Sequence, residues 1–246
     1  MTADPNRVVA IVQARMGSTR LPGKVLKPLA GQPMIARVVE RTRRAKGVRE
    51  VVVATTREAR DEPLVDLCQS RGWPFTRGDE ADLLDRYHAA AIVHRADAVV
   101  RITSDCPLID PGLIDRVLDA FRRGDCDYAS NTLEPRTFPR GLDVEVVGFK
   151  ALERAWREDT NPQWREHATP YIYRHPEHFR LRPVRNDRDL SYHRWTVDTP
   201  EDYDLVRRIY DHFGHDRFAW TDVLQVLDEH PDWVEINRHV HQKSVP

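Results

Sequence analysis

A basic loop near the N-terminus has the residue types that bind phosphate groups. The segment QARMGSTRLPGKVL, residues 13–26, follows an apolar stretch and carries the cationic side chains of Arg15, Arg20 and Lys24. Its two glycines let the backbone turn so that several N–H groups face one concavity, which is a common way to bind an anion. From residue 5 to residue 39 the chain has six basic residues and no acidic one. The pattern predicts a triphosphate site.

This loop is neither of the common glycine-rich phosphate motifs. A P-loop would need Gly where Ser18 stands and Ser or Thr where Val25 stands, and the interval from Gly17 to Gly23 is one residue too long. The GxGxxG pattern is also absent. The prediction therefore depends on charge and position, and a basic surface loop without a ligand is the alternative.

Two aspartates lie at the ends of segments that we predict to be strands. Asp105 comes just after VVRIT, and Asp198 comes directly after HRWTV. Ligands of open α/β sheets bind outside the carboxyl ends of the strands, so both carboxylates are expected beside the basic loop. Two carboxylates next to a triphosphate indicate Mg²⁺. The alternatives are a turn role for Asp105 before Pro107 and a helix-capping role for Asp198 before Thr199.

Strands alternate with amphipathic helices along the chain and must position these residues. Predicted strands cover residues 7–14, 50–56, 73–77, 97–103, 179–184 and 192–197. The first predicted helix begins at Pro33. Further helices are predicted over residues 62–71, 82–94, 111–124, 150–158, 165–174, 200–213 and 221–229. The alternation favours an α/β fold with a mostly parallel sheet and helices on both faces.

The pattern changes between residues 127 and 149, where the chain has short β-rich pieces. We interpret this part as a small β-rich arm inserted in the domain. No repeat, low-complexity tract or flexible linker divides the chain. The sequence therefore predicts a single domain over residues 1–246.

Composition excludes several classes of protein. The 246 residues hold 38 Lys and Arg against 39 Asp and Glu, and this balance argues against nucleic-acid binding through a global positive field. No apolar run is long enough to cross a membrane, and residues 1–7 lack the plan of a signal peptide, so we expect a cytoplasmic protein. The three cysteines are widely spaced and are expected to be reduced thiols.

Five segments together resemble the cytidylyltransferase family of CMP-sugar synthetases. They are QARMGSTRLPGKVL, RITSDCPLIDP, RTFPRGLDVEV, EHATPYIY and RWTVDTPEDYDLV, which occur in order over nearly the whole chain. The resemblance is to the CMP-KDO and acylneuraminate cytidylyltransferases, and especially to the branch of spore coat polysaccharide biosynthesis. It implies a Rossmann-like, three-layer nucleotidyltransferase fold and a homodimer. It also implies transfer of CMP from CTP to an acidic sugar, sialic-acid-like or KDO-like, with release of pyrophosphate and with Mg²⁺ as cofactor.

The resemblance also assigns roles to residues. Arg15, Lys24 and Asp105 are the candidate catalytic residues, and Asp105 and Asp198 are the candidate magnesium ligands. The candidate nucleotide-binding residues are Ala14, Arg15, Gly17, Ser18, Arg20, Lys24, Asp79 and Ser104. An acidic acceptor needs a cation, and we select Arg140 and Arg165, with Asp143 nearby, from a wider set that also holds Arg136, His167 and Arg194.

The chain departs from the CMP-KDO type at two places. That type has Gly-Asp-Glu-Pro where this chain has SDCP, residues 104–107, and its SGTER-like nucleotide loop is replaced here by GDEADLLDR, residues 78–86. Two alternatives therefore stay open. One is a nucleotidyltransferase that uses another nucleoside triphosphate with a sugar 1-phosphate or phosphonate acceptor, and the other is a non-catalytic nucleotide-binding or glycosyltransferase-like protein.

Overall fold

The computed structural model describes residues 7–242 of the chain. Its strands are β1 (Val8–Gln13), β2 (Pro28–Leu29), β3 (Gln32–Pro33), β4 (Glu50–Thr56), β5 (Phe75–Gly78), β6 (Ala98–Thr103), β7 (Tyr128–Ser130), β8 (Glu145–Gly148) and β9 (Leu181–Pro183). The predicted lack of a signal peptide concerns residues that lie almost wholly outside this range.

One sheet of seven strands organises the described residues, in the order β5-β4-β1-β6-β8-β7-β9. Strands β5, β4, β1 and β6 pair in parallel, β8 is antiparallel to both of its neighbours, and β7 pairs in parallel with β9. The predicted α/β class with a mostly parallel sheet is confirmed. β1 is buried along almost its whole length, as expected for a continuous apolar run in the centre of a parallel sheet.

Helices cover both faces of this sheet. They are α1 (Met34–Arg43), α2 (Glu62–Ser70), α3 (Leu83–Val93), α4 (Pro111–Arg123), α5 (Phe149–Glu158), α6 (Pro162–Arg165), α7 (Pro170–Arg174), α8 (Pro200–Phe213), α9 (Trp220–Glu229) and α10 (Pro231–Glu235). Alternate residues of β1 point into two separate apolar cores, one with α1, α4 and α8 and the other with α3, α5 and α7. The result is the three-layer arrangement implied by the resemblance. None of the helices within residues 7–242 is long and apolar enough to span a bilayer.

Two predicted elements differ from the structure. Residues 192–197 do not form a strand, because their backbone groups bond to two different loops: Trp195 N donates to Arg140 O at 2.7 Å and Val197 N donates to Asp105 O at 2.8 Å. The helix predicted over residues 165–174 is two short helices, α6 and α7, separated by Ala168 with a φ of 68°.

The segment 127–149, predicted as an inserted arm, supplies β7 and β8 to the main sheet itself. The loop between these strands borders the same cavity as the basic loop after β1. The segment is therefore part of the sheet and of the cavity lining at the same time.

Candidate active site

A cavity of about 960 Å³ opens at the carboxyl ends of β1 and β6. The basic loop after β1 and the loop between β7 and β8 both line it. Its cationic side chains are Arg15, Arg20, Lys24, Arg86, Arg101, Arg136 and Arg140, and its carboxylates are Glu80, Asp105, Glu134, Asp143, Glu145, Glu166 and Asp198. The predicted convergence of the basic loop and both aspartates is therefore what the structure has.

Lys24 lies between the two aspartates. Its Nζ donates to Asp105 Oδ2 at 3.0 Å, to Asp198 Oδ1 at 2.9 Å and to the carbonyl oxygen of Val197 at 2.8 Å. The second oxygen of Asp198 faces Arg20 at 3.1 Å and Arg194 at 3.0 Å. Three cations thus surround one carboxylate at the edge of the cavity.

Burial and charge act in opposite directions on this cluster. Burial alone would lower the pKa of Lys24, but the charges of Asp105 and Asp198 outweigh it and raise that pKa. Burial would raise the pKa of Asp105, but Lys24 and the hydrogen bonds from Thr103 and Cys106 lower it. Lys24 is therefore an ammonium and Asp105 a carboxylate at neutral pH.

Backbone contacts bring Asp198 to Asp105. The bond from Val197 N to Asp105 O joins the two loops directly. The next helix, α8, is capped by Thr199 and Asp202, which exchange a complete capping box. The Asp198 carboxylate is therefore not the cap of α8, and it is directed to Lys24, Arg20 and Arg194 instead.

Asp61 anchors the basic loop through hydrogen bonds. Its buried carboxylate accepts a hydrogen bond from Met16 N at 2.6 Å and a short one from Thr56 Oγ1. In the same loop, Arg15 contacts Glu80 at 3.1 Å and Glu166 at 3.7 Å. Arg15 therefore lies at the opposite end of the loop from Lys24, between two carboxylates that border the cavity.

Arg140 is a cation without an ion pair among residues 7–242. Its neighbour Arg136 is buried and bonds to Asp143 and to the carbonyl oxygens of Phe138 and Pro139. Burial, with the like charge of Arg136, lowers the pKa of Arg140. Arg140 is thus available to an anionic ligand, whereas Asp143 holds Arg136.

Gly141 holds this loop against residues 194–196. Its φ is +103°, and a Cβ there would lie 2.5 Å from both Thr196 N and Trp195 C. Only glycine fits this close approach. The position of Arg140 therefore depends on the residue that follows it.

Two of the candidate residues lie outside the cavity wall. The guanidinium of Arg165 bonds to Asp82 at 2.7 and 2.9 Å and to the carbonyl oxygens of Trp156 and Asp159, which joins α6 to the start of α3. Asp79 accepts from the backbone N–H of Ala81. The other candidates, Ala14, Gly17, Ser18 and Ser104 among them, line the cavity.

Some cavity residues gave no recognisable signal in the sequence. Arg101 of β6 pairs with Glu145 of β8, and Glu145 also accepts from Tyr128 Oη and Thr169 Oγ1, each at 2.6 Å. Their pairing depends on the antiparallel register of β6 and β8. Strand register between segments this far apart is not visible in a single sequence. Arg86, the last residue of the segment 78–86, also lines the cavity.

The cysteines of the described residues form no disulfide, and the metal-donor side chains form no large cluster. Cys68, Cys106 and Cys126 are free, as predicted, and all three are buried. Burial and the charges of Asp105 and Asp143 raise the pKa of Cys106, which keeps it a thiol. Between residues 7 and 242 no group of three or more His, Cys, Asp or Glu side chains could hold a metal ion by itself.

An α/β fold with a charged cavity at the carboxyl ends of its strands is typical of nucleotide-binding proteins. Comparison with known proteins gives the family of this chain. A sequence model described as cytidylyltransferase matches residues 9–220, and the chain belongs to that family. It is similar to the spore coat polysaccharide biosynthesis protein SpsF of Bacillus subtilis, with 32% identity over 237 residues, 92% of this chain and 96% of that one.

Two further similarities extend this result. A cytidylyltransferase structure from Leptospira borgpetersenii superposes with a TM-score of 0.88 at 33% identity, over 97% of this chain and 99% of that one. A 3-deoxy-manno-octulosonate cytidylyltransferase of Anaeromyxobacter is 38% identical over 145 residues, 57% of this chain and 58% of that one. The chain is therefore a CTP-dependent nucleotidyltransferase.

Proposed function

We propose that this protein transfers CMP from CTP to a hydroxyl of an acidic sugar, sialic-acid-like or KDO-like, and releases pyrophosphate. The product would serve the synthesis of a surface polysaccharide or glycan. The observation that carries the proposal is the Lys24, Asp105 and Asp198 cluster at the carboxyl edge of a family fold. The SpsF relative, named for polysaccharide biosynthesis, supports the pathway class.

The nucleotide half of the reaction uses the basic loop. Arg20 and Lys24 would hold the phosphates that leave as pyrophosphate, and Arg15 would join them after exchanging its carboxylate partners for phosphate oxygens. The acceptor oxygen attacks the α-phosphorus in line with the leaving group. Catalysis of this kind depends on positioning and on neutralising the charge that develops on the phosphates.

The donor set is of the kind that Mg²⁺ takes when it arrives with phosphates. Mg²⁺ usually binds one or two protein carboxylates and completes its shell with phosphate oxygens and water. Asp105 and Asp198 both contact one ammonium, so they are close enough to serve together, and the described residues offer no larger donor cluster. When bound, the ion would withdraw charge from the α-phosphate.

The acceptor half would lie at the loop between β7 and β8. Arg140 is a cation without a counter-ion in the described chain, and an acidic sugar carries the carboxylate that would pair with it. Arg136 and Asp143 support this loop through their own ion pair. Arg165, predicted to bind the acceptor, is not available for it, because its four hydrogen bonds are made to Asp82, directly before α3, and to the end of α5.

The test is pyrophosphate release measured with CTP and a matrix of acceptors. Sugar acids, their neutral amides and sugar 1-phosphates are each supplied with and without Mg²⁺, and Arg140→Met is compared with the wild type. We expect release with a sugar acid only, dependent on Mg²⁺, and a KM for the acid raised by Arg140→Met without a change in the KM for CTP. Release with a sugar 1-phosphate or another nucleotide would identify the related transferase, and binding without release under any condition would contradict an enzymatic role.

A further inference from the structure

The C-terminal part of the described chain, residues 236–242, lies against the loop that carries Asp198. Asn237 is only 3% exposed, and its Nδ2 donates to the carbonyl oxygen of Arg194 and to Asp202 Oδ1, both at 2.8 Å. Gln242 Oε1 accepts from Arg194 Nη1 at 2.6 Å, and Gln242 also lines the large cavity. The family model ends at residue 220, so these contacts come from a part of the chain that the family match does not include.

Arg194 connects these contacts to Asp198. Its Nε and Nη2 donate to the two oxygens of Asp202 at 2.8 and 2.9 Å, and Nη2 also donates to Asp198 Oδ2 at 3.0 Å. Because Gln242 bonds to Nη1, each nitrogen of the guanidinium has a partner. A guanidinium is a planar fork, so partners on three nitrogens fix its orientation as well as its position. The direction from which Nη2 meets Asp198 therefore depends on Asp202 and Gln242.

Asp202 holds the backbone of the same loop. Its carboxylate is fully buried, and Oδ2 accepts from Asp198 N at 3.0 Å and from Thr199 N at 3.1 Å. These bonds matter because residues 192–197 do not form a strand that would hold Asp198 in the sheet. Asn237 donates to the other oxygen, Oδ1, so the buried carboxylate has donors on both sides. The backbone at Asp198 is therefore tied to the C-terminal segment.

Arg194 differs from the other two cations that contact Asp198. Arg20 and Lys24 line the large cavity, where they would move to the phosphates of the nucleotide, whereas Arg194 does not line it. Arg194 can therefore stay on Asp198 Oδ2 when a ligand is bound. Asp198 Oδ1, which contacts Lys24 in the structure, is then the oxygen left for a cation that enters with the phosphates.

We propose that Asn237 and Gln242 are positioning residues of the transfer site. Through Asp202 and Arg194 they hold the backbone and one oxygen of Asp198, which leaves the other oxygen for the ion that accompanies the triphosphate. They act through their neighbours and need no contact with the ion or with the reacting atoms. This inference rests on the proposed function, because it takes Asp198 as a magnesium ligand.

The experiment measures how much Mg²⁺ strengthens the binding of inorganic tripolyphosphate. Calorimetry on the full-length wild type, Gln242→Ala and Asn237→Ala gives the dissociation constant in EDTA and in millimolar Mg²⁺. We expect the gain from Mg²⁺ to fall about 10-fold in both variants, because partners that orient a metal ligand affect metal affinity on this scale. The dissociation constant in EDTA should stay at the wild-type value, since Arg15, Arg20 and Lys24 are unchanged.

Two further variants separate orientation from charge and from the loss of a side chain in general. Arg194→Lys keeps a positive charge beside Asp198 but loses the forked contacts, so it should lose the same gain. Gln225→Ala is the matched control, because Gln225 is also an exposed glutamine near the C-terminus and bonds to Glu229 of its own helix, α9. Its gain from Mg²⁺ should equal that of the wild type.

Several results would overturn the proposal. A full gain from Mg²⁺ in Gln242→Ala or Asn237→Ala, even with a lower melting temperature, would give that residue a role in folding only. An equal loss of affinity with and without Mg²⁺ would make the segment a general support of the phosphate site. No gain in the wild type would remove Asp198 as a metal ligand, and this inference with it, even if CMP is transferred. If the wild type shows the gain but transfers no CMP, the proposed function fails while this test still stands, because it needs neither CTP nor an acceptor.

Discussion

The charge of Lys24 determines what the two aspartates can do before a nucleotide arrives. In the structure its ammonium lies where a second cation would have to lie to contact both carboxylates. A divalent ion without phosphates would have to displace it and would gain only two protein ligands. We therefore expect Mg²⁺ to enter together with the nucleotide, whose phosphates both supply ligands and attract Lys24.

Replacing Lys24 with Met should let Mg²⁺ bind the nucleotide-free protein. The variant leaves two neighbouring carboxylates without their shared cation, so millimolar Mg²⁺ should raise its melting temperature while leaving that of the wild type unchanged. Arg20→Met is the control, because it keeps Lys24 between the aspartates. Thermal unfolding with and without Mg²⁺ measures the difference. Equal shifts in Lys24→Met and the wild type would mean that Lys24 does not compete for this site.

Either aspartate should matter more for turnover than for folding. Asp105→Asn and Asp198→Asn keep the size of the side chain but remove its charge, so we expect CMP transfer to fall by about 100-fold or more, with the circular dichroism spectrum preserved. The rate of pyrophosphate release at saturating CTP, read beside that spectrum, makes the comparison. Turnover of either variant close to the wild-type rate would remove that residue from the reaction.

At the scale of elements, the candidate site depends on hydrogen bonds between loops. The loop that contains residues 192–197 contacts the loops that carry Arg140 and Asp105. Short apolar and β-branched runs predicted the central strands well, but residues 192–197 look like a strand and are not one. Their N–H groups bond to Arg140 and Asp105, which lie on separate loops. Local periodicity cannot distinguish such a segment from a strand, because the distinction depends on which backbone it meets.

Gly141 should couple the position of Arg140, in the loop between β7 and β8, to residues 194–196. Gly141→Ala would place a Cβ 2.5 Å from backbone atoms and would put alanine at a φ of +103°, a cost of about 1–3 kcal/mol in folding free energy. Because Arg140 precedes it directly, we expect a higher KM for the acceptor and an unchanged affinity for CTP. Steady-state kinetics with a sugar acid and calorimetry with CTP separate the two. A variant with both constants unchanged would contradict the coupling.

For the whole molecule, the sequence predicted the α/β class and the positions of the basic loop and Asp105, since these follow from strand order and strand ends. The convergence of Asp105 with Asp198 was also predicted, but from a strand over residues 192–197 that the structure does not have; the bond from Val197 N to Asp105 O brings the two loops together instead.

The sequence did not predict the partners of the charged residues. Arg165 is predicted to bind the acceptor but pairs with Asp82, whereas Arg86, for which the sequence predicts no role, borders the cavity. Which arginine forms an ion pair with a carboxylate of the same chain depends on tertiary packing. The spacing of residues in one sequence does not show it.

Global stability should depend on pH through Asp216, far from the cavity. Burial would raise the pKa of Asp216, but its contacts with Arg44 at 3.0 Å and Arg37 at 3.7 Å lower it overall. Its stabilisation is therefore present above the unfolded value near pH 4 and is lost as the pH falls through the lower folded value. Asp216→Asn keeps the backbone carbonyl that Arg41 and Arg44 use and should cost about 1 kcal/mol at pH 7.

Urea unfolding of the wild type and Asp216→Asn at pH 7 and pH 3.5 measures this dependence. The difference in free energy of unfolding should shrink at the lower pH. A difference of the same size at both values would mean that the ion pairs do not contribute. The homodimer implied by the family stays a prediction at this scale, and light scattering on the purified protein would measure it.

One binding event is central to the proposed reaction, the joint entry of CTP and Mg²⁺ into the cavity at the strand ends. The measurement is a thermal unfolding panel of CTP, UTP, GTP and ATP, each with and without Mg²⁺, on the wild type and on Asp198→Asn. We predict stabilisation by CTP that needs Mg²⁺, about 2.7 kcal/mol when the ligand is at 100 times its dissociation constant, and that falls away in Asp198→Asn. Equal stabilisation by all four nucleotides, or by CTP in both proteins regardless of Mg²⁺, would contradict the assignment of this cavity.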